Sequence, residues 1–269
     1  MERSLPARPG KFHLSKWYAD CVSDSGDVLI AYYGLAQWRG ITLHYSSLLT
    51  LFGSGPPRAR YSISKSGAPS FDGSTLCWKS HSLRFEGDWK SIYPPHLETI
   101  FSSNQGTVEW NCLQPRAGVE IHCANNKVLC GLGYAERVEM TIPPWEIPIH
   151  ELYWGRFLSP SASLIWMDWR GPFAKRILLH NGSSVVGGAV TENQVLFGTN
   201  GELTLGKGAI LRQGKLGYVA LAAMPGVRTF LPRRILGVQE TKWRSHAQMK
   251  VSAEVSDGWS IHEVVKWPL

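Results

Sequence analysis

Apolar and polar residues alternate with a period of two along most of the chain, and turn-forming residues interrupt the alternation about every ten residues. This pattern is typical of β-strands, whose successive side chains point to opposite faces of a sheet. Residues 27–37 and 41–52 alternate in this way on either side of Trp38-Arg39-Gly40. They are therefore predicted to pair as an antiparallel hairpin.

Five further turns are predicted from proline, glycine and asparagine, which suit the backbone geometry of turns. They lie at Pro115 to Gly118 in TVEWNCLQPRAGVEIHC, at Ser159-Pro160-Ser161, at Asn181-Gly182, at Asn200-Gly201 and at Gln213-Gly214. The chain is thus predicted to be a succession of hairpins.

Helices are nearly absent from the pattern, because no long segment keeps an apolar stripe at helical spacing. Residues 238–250 come nearest to one. We therefore predict an all-β fold of antiparallel barrels or sandwiches with few or no helices, and 269 residues allow two such units. A break near residues 127–133 divides the chain into predicted domains 1–130 and 131–269.

Composition predicts a folded chain with large side chains to bury or to bind, since 43% of the residues are hydrophobic and 12 are tryptophan. The five cysteines form no CxxC pair, which argues against a disulfide framework and a cysteine-built zinc site and predicts buried apolar cysteines. No apolar run has the length of a signal peptide or of a membrane span, so we expect a cytoplasmic protein.

Charge is uneven along the chain, whose net charge is +7. Between Leu203 and Ala253 a single acid, Glu240, accompanies nine basic residues: Lys207, Arg212, Lys215, Arg228, Arg233, Arg234, Lys242, Arg244 and Lys250. This basic segment is interpreted either as a solvated face or as a surface for an anionic membrane or an acidic ligand. Nucleic acid is not an expected partner, because no nucleic-acid-binding motif accompanies the charge.

Familiar catalytic motifs are missing. Gly131-Leu132-Gly133 does not complete a dinucleotide-binding pattern, and the sequence has no Walker A loop, no G-x-S-x-G elbow and no H-E-x-x-H. His96 and Glu98 could ligate a metal, but Pro94-Pro95 before them indicates a loop, so no metal site is predicted. We expect no cofactor.

The alternation of side chains between the two faces of a strand distinguishes Glu136 from the other acids. In a strand over residues 134–142, Glu136 shares its face with Tyr134, Val138 and Met140, whereas Glu139 lies on the opposite face. A carboxyl group on an apolar face loses hydration, which raises its pKa and suits a general acid near neutral pH. Glu136 is therefore the leading catalytic candidate.

The next hairpin supplies further candidates. Arg156 shares a strand face with Trp154, and Asp168 shares one with Trp166. Glu136, Arg156 and Asp168 are therefore expected to point into one interior lined by Tyr134, Trp154 and Trp166. The alternative interpretation is a buried ion pair or triad without chemistry. Asp20 alternates with Tyr18 and Val22 in the same way.

A resemblance to a known family rests on four segments. They are Gly-x-Gly-Tyr-x-acid at residues 131–136, Pro143-Pro144-Trp145, Leu152 to Phe157 and Trp166 to Trp169. These segments resemble the central part of the lipocalin-like superfamily that contains hydroxyneurosporene synthase (a carotenoid hydratase), AttH-like proteins and fungal Diels-Alderases. Trp17-Tyr18-Ala19-Asp20 is similar to the first strand of that superfamily.

The resemblance implies two lipocalin-like barrels side by side, a pocket in or between them for an apolar small molecule, and no cofactor. In the hydratase the matching acid is thought to protonate an alkene. Glu136 holds that position here, and Ala135 stands where the hydratase has histidine.

The leading hypothesis is a cofactor-independent enzyme that hydrates, dehydrates, cyclises or isomerises a terpenoid, polyene or polyketide. In this hypothesis Glu136 donates the proton and Tyr134 or Tyr153 orients it. Arg156 and Asp168 tune it, while Trp154 and Trp166 hold the substrate, and Met140, Trp17 and Asp20 complete the site. One alternative is a lipid or terpenoid carrier without chemistry. Another is a pericyclic cyclase of the Diels-Alder type that acts by preorganisation. A further hypothesis is that the basic segment contacts a membrane peripherally.

Overall fold

Alternating strands account for most of the chain in the computed structural model, which describes residues 12–65, 67–219 and 231–268. The described part contains twenty strands, a 3-10 turn at Ala124–Asn126 and two four-residue helices, Leu216–Val219 and Arg233–Leu236. The predicted all-β class is confirmed. None of the helices in these ranges is long and apolar enough to cross a membrane.

Ten strands form the first antiparallel sheet, and the hydrogen-bonded order is β4-β3-β2-β1-β10-β9-β7-β6-β5, with β8 also paired to β9. The strands are β1 His13–Val22, β2 Val28–Trp38, β3 Ile41–Leu51, β4 Arg58–Ser62, β5 Ser70–Phe71, β6 Thr75–Ser80, β7 Phe85–Ser91, β8 His96–Ser103, β9 Gly106–Cys123 and β10 Val128–Met140.

The second sheet repeats this topology strand for strand, in the order β14-β13-β12-β11-β20-β19-β17-β16-β15, with β18 also paired to β19. The strands are β11 Glu151–Leu158, β12 Ser163–Arg170, β13 Lys175–His180, β14 Ser183–Ser184, β15 Gly188–Val190, β16 Gln194–Phe197, β17 Gly201–Leu205, β18 Ala209–Lys215, β19 Gln239–Val251 and β20 Glu254–Lys266. The two halves of the chain are therefore equivalent in topology, although the sequence shows no repeat at the level of residues.

Each sheet covers an apolar core of its own and turns its other face to the partner sheet. Trp78 and Trp89 lie in the core of the first sheet, and Phe157 and Trp166 lie in the core of the second. A third apolar cluster contains side chains from both sheets. We call this shared layer the seam; its aromatic members are Tyr18, Tyr32, Trp110, Tyr134 and Trp154, with Trp259 packed against it.

Three predicted turns occur as expected, at Trp38-Arg39-Gly40, at Ser159-Pro160-Ser161 and at Asn181-Gly182. Asn181 and Gly182 both have positive φ, at 49° and 77°, as a tight hairpin of this kind requires. The turn before β17 ends at Asn200, because Gly201 already pairs with Phe197.

Several local predictions are wrong. TVEWNCLQPRAGVEIHC is one continuous strand, β9, and Gln213-Gly214 lies inside β18. Residues 238–250, the segment nearest to a helical pattern, belong almost entirely to strand β19. Of the cysteines, Cys77 and Cys130 are exposed.

The predicted boundary after residue 130 falls inside a strand. β10 pairs with β9 from Val128 to Met140 and with β1 from Leu132 to Met140, and the second sheet begins at Glu151. The chain therefore passes from one sheet to the other within residues 141–150, where Ile142, Ile147 and Ile149 are buried.

Candidate functional site

Glu136 lies in the seam, where strand β10 places it opposite Tyr18 of β1. Its side chain is 6% exposed, and three donors reach one carboxylate oxygen, Oε2. They are Trp110 Nε1 at 2.6 Å, Tyr134 Oη at 2.7 Å and Trp154 Nε1 at 3.3 Å. None of the described residues donates to Oε1, so this oxygen is free to carry a proton.

Burial controls the ionisation of this acid. Burial raises the pKa of Glu136, while Lys16 and the hydrogen bonds from Tyr134 and Trp110 act in the opposite direction. Burial also raises the pKa of Tyr134 well above its ordinary range, so its hydroxyl remains a donor at neutral pH. Glu136 is thus held in place by neutral groups and is easier to protonate than an ordinary carboxyl.

Asp20 and Arg156 form a second polar element of the seam, and both side chains are 0% exposed. The guanidinium donates to both carboxylate oxygens, Nη2 to Oδ1 at 2.7 Å and Nε to Oδ2 at 3.1 Å. Tyr18 Oη also donates to Oδ2 at 2.7 Å, and Arg156 Nη1 donates to the carbonyl of Trp259 at 2.9 Å. This bidentate pair joins the two sheets.

Further buried charges in the seam come from the basic segment. Lys242 is 1% exposed and forms an ion pair with Glu263. Its Nζ lies 4.9 Å from the ring centroid of Trp154 and 5.3 Å from that of Tyr18. Arg212 pairs with Glu240 at 2.7 Å. The basic segment is therefore not one solvated face, since two of its cations are internal; Arg228 lies outside the described residues.

Sequence reasoning missed these internal charges. Their signal was the alternation of Glu240 and Lys242 along one face, which becomes visible only when residues 238–250 are read as a strand. Although burial acts to raise the pKa of Glu263, the charges of Lys242 and Lys16 lower it to about 2. Glu263 therefore loses its proton at a lower pH than Glu136 does.

The two sheets are related across the seam by approximate two-fold symmetry, because equivalent positions of the two halves meet there. Val22 and Leu158 end the equivalent strands β1 and β11, so Tyr18 is equivalent to Trp154 and Asp20 to Arg156. Tyr18 and Trp154 are in edge contact, with ring centroids 5.1 Å apart. Across the strand pairs, Tyr18 lies opposite Glu136, and Trp154 lies opposite Glu263.

A cavity of about 180 Å³ opens at one end of the seam. Arg156, Trp259 and Leu132 are among the side chains that line it. Leu132 and Glu136 are four residues apart on β10, about 13 Å along the strand. The Asp20–Arg156 pair therefore lies between the cavity and Glu136.

Asp168 and Trp166 do not lie in the seam. The prediction that they share one interior with Glu136 and Arg156 is therefore wrong. Across the β11–β12 hairpin, Trp154 lies opposite Met167 and Arg156 lies opposite Ile165. Asp168 and Trp166 consequently face the core of the second sheet. Asp168 is held there by Arg170 at 2.7 Å and Arg176 at 2.9 Å.

The remaining predicted residues also lie outside the centre of the seam. Tyr153 packs against the core of the second sheet, with the Arg170 guanidinium 3.9 Å from its ring centroid. Trp17 packs against the core of the first sheet, and Met140 belongs to an apolar cluster around residues 142–149. Catalytic and binding roles for these residues stay predictions. The described residues contain no cluster of three or more His, Cys, Asp or Glu able to hold a metal ion.

The buried carboxyl predicts a pH-dependent difference in stability between the protein and Glu136→Gln. Because the folded pKa is raised, Glu136 stabilises the fold below its ordinary pKa of 4.5, and this contribution is lost as pH rises through the folded value. Glutamine does not titrate. In urea unfolding from pH 4 to pH 8, the free energy of unfolding of Glu136→Gln is expected to rise relative to that of the parent protein as pH increases. A difference independent of pH would contradict the prediction.

Solved structures with the same fold cover nearly the whole chain. CghA has a TM-score of 0.61 at 8% identity, covering 95% of this chain and 88% of that chain. A putative AttH from Nitrosomonas europaea has a TM-score of 0.55 at 8% identity, covering 97% and 98%. Kievitone hydratase from Nectria haematococca has a TM-score of 0.55 at 11% identity, covering 96% and 89%.

These likenesses confirm the predicted fold of two lipocalin-like barrels side by side. At such low identity they show the fold alone. No family model matches the sequence, and a search of curated proteins found no match to it.

Proposed function

We propose that the protein is a cofactor-independent enzyme that acts on an apolar terpenoid, polyene or polyketide by acid–base chemistry at the seam, with Glu136 as the proton donor. Hydration, and proton-initiated cyclisation or isomerisation, begin with protonation of a carbon of such a substrate, and dehydration begins with protonation of its leaving hydroxyl group. The observation that carries the proposal is the carboxyl of Glu136, buried among aromatic rings with every donor on Oε2 and with Oε1 left for a proton.

The surroundings of Glu136 suit a developing carbocation. Protonation of an alkene leaves positive charge on carbon, and the faces of Tyr and Trp rings attract such a charge. Tyr18, Tyr134 and Trp154 lie in mutual edge contact, with ring centroids 5.1 to 5.9 Å apart. Tyr134 and Trp154 also fix the acid by their hydrogen bonds, so the same rings position the proton and shield the cation. The hydratase among the structures of the same fold is consistent with this chemistry.

A carrier without chemistry is the second candidate, and the position of the cavity favours it. The cavity of about 180 Å³ lies beyond the Asp20–Arg156 pair, so a ligand confined to it does not touch Glu136. For the enzyme, the substrate must extend along the seam toward Glu136. The enzyme and the carrier therefore differ in whether the bound molecule exchanges a proton with Glu136.

Deuterium transfer tests the proposal. The protein is incubated in D2O with a panel of polyenes, terpenoids and polyketides, and bound compounds and products are identified by mass spectrometry. Protonation of a carbon by Glu136 is expected to place deuterium on that carbon, because a carboxyl proton exchanges with solvent. Glu136→Gln is expected to reduce this incorporation by about 100-fold or more.

Glu139→Gln is the matched control, because it makes the same change on the same strand but on the opposite face, where Glu139 bonds Ser15 and His13. It is expected to keep full incorporation. Bound compounds recovered unchanged would show a carrier. Conversion without deuterium, equal in the parent protein and Glu136→Gln, would show a cyclase that acts by preorganisation.

A further inference from the structure

A second cavity, of about 350 Å³, opens in the second sheet on the face turned away from the seam. Trp243, Ser245 and His262 line it from strands β19 and β20. Their neighbours along the strands, Lys242 and Glu263, point the other way into the seam. The cavity is thus separated from Glu136 by the thickness of the sheet, and its residues take no part in the proposed chemistry.

The floor of the cavity is a hydrogen-bonded pair, Ser245 and His262. Ser245 Oγ lies 2.8 Å from His262 Nε2, and both side chains are buried. Burial, followed by the charge of Lys242, lowers the pKa of His262 to about 4, so the imidazole is neutral at physiological pH. A hydroxyl has one donor and two acceptor sites, so Ser245 keeps hydrogen-bonding capacity beyond the bond to His262.

The wall and the rim of the cavity complete the site. The Trp243 ring is stacked on the His262 ring, with centroids 5.1 Å apart and planes 18° apart, and provides an apolar wall. At the rim, the exposed residues Lys207 and Glu192 carry opposite charges. The loop after β17 lies directly over the floor, because a Cβ at Gly208 would fall 2.4 Å from Ser245 Oγ. Glycine at this position leaves room for the Ser245 hydroxyl beneath the loop.

We propose that this cavity is a second ligand site, which binds a neutral ring molecule that carries a hydroxyl group, with an apolar face on Trp243 and the hydroxyl on Ser245. A hydroxyl donates and accepts, so it matches the floor in either tautomer of His262. A charged group would give up its hydration for an uncharged floor, which is unfavourable. The cavity volume suits a single ring, and phenols and monosaccharides share this chemistry.

NMR titration of the full chain tests the site with three probes: phenol, anisole and methyl β-glucoside. Binding is followed by the His262 ring resonance and by the amides of Gly206 and Gly208. Phenol, methyl β-glucoside or both are expected to shift these signals with saturation, and which of them does so distinguishes the aromatic source from the sugar source. Anisole has the ring of phenol without the donor, and is expected to bind about five- to tenfold more weakly than phenol.

Ser245→Ala is expected to weaken the binding of the hydroxyl probe five- to tenfold while leaving anisole unchanged. Gly208→Ala, which places a methyl group over the floor, is expected to weaken every probe. Ser256→Ala is the control, because the Ser256 hydroxyl on β20 forms a solvent-exposed hydrogen bond with Ser161. Absence of a saturable shift with both phenol and the glucoside, or equal affinities in Ser245→Ala and the parent protein, would overturn the proposal.

Discussion

Arg156→Met is expected to lower the free energy of unfolding by about 3 to 5 kcal/mol, the usual cost of breaking a fully buried ion pair from one side. In the variant, Asp20 keeps the Tyr18 hydroxyl as a partner but loses both bonds from the guanidinium. A carboxylate without a counter-charge in an apolar layer has neither water nor an ion to offset its desolvation. Urea unfolding at pH 7 measures the loss.

The double variant Asp20→Leu with Arg156→Met separates two contributions to the free energy of unfolding: the cost of leaving Asp20 buried without a counter-charge, and the net stabilisation by the ion pair. Removing both charges is expected to recover most of the lost stability, because apolar side chains can replace a buried pair with little net cost. Lys79→Met is the control, since Lys79 and Glu86 are more than half exposed, and its effect is expected below about 1 kcal/mol. A single variant as stable as the parent protein would contradict the expectation.

Acidification is expected to remove about 3 kcal/mol of stability through His262 alone. The pKa of this side chain is about 4 in the folded protein against an ordinary 6.5, so between these values the unfolded chain binds a proton that the folded chain does not. The contribution is therefore complete above pH 6.5 and is lost as pH falls toward 4. Glu136, whose pKa is raised, acts in the opposite direction.

His262→Gln isolates this contribution, because glutamine keeps a hydrogen-bonding group near Ser245 but does not titrate. Urea unfolding at half-unit steps from pH 4 to pH 7.5 is expected to give a flatter profile for the variant than for the parent protein. Parallel profiles would show that His262 is protonated equally in the folded and unfolded states.

The sequence predicted which side chains of one strand share a face, but it did not predict which residues of neighbouring strands pair with each other. Glu136 was placed on the face of Tyr134 and away from Glu139 by alternation alone, which requires only that these residues belong to one strand. Deciding whether Trp154 faces Trp166 or Met167 requires the residue pairing of the β11–β12 hairpin, and a slip of one residue exchanges the faces. The misplacement of Asp168 is an error of this kind.

Two strands were misread from the sequence, β19 because of its buried charged residues and β9 because of a proline. In β19, Glu240 and Lys242 occupy buried positions that face the seam. Because these buried positions hold charged residues, the usual alternation of apolar and polar residues is lost in this part of the strand. In β9, Pro115 suggested a turn. It lies between Cys112, where pairing with β8 ends, and Ala117, where pairing with β7 begins, so its missing N–H removes no bond on that edge.

The Asp20–Arg156 pair also bears on why the two halves belong to one chain. A dimer of identical barrels related by a two-fold axis would bring position 20 against its own copy, so that an acid would face an acid. Joining the halves through residues 141–150 lets equivalent positions carry different residues. The opposite charges at the axis, and the contrast between the raised pKa of Glu136 and the lowered pKa of Glu263, are asymmetries that a dimer of identical chains cannot encode.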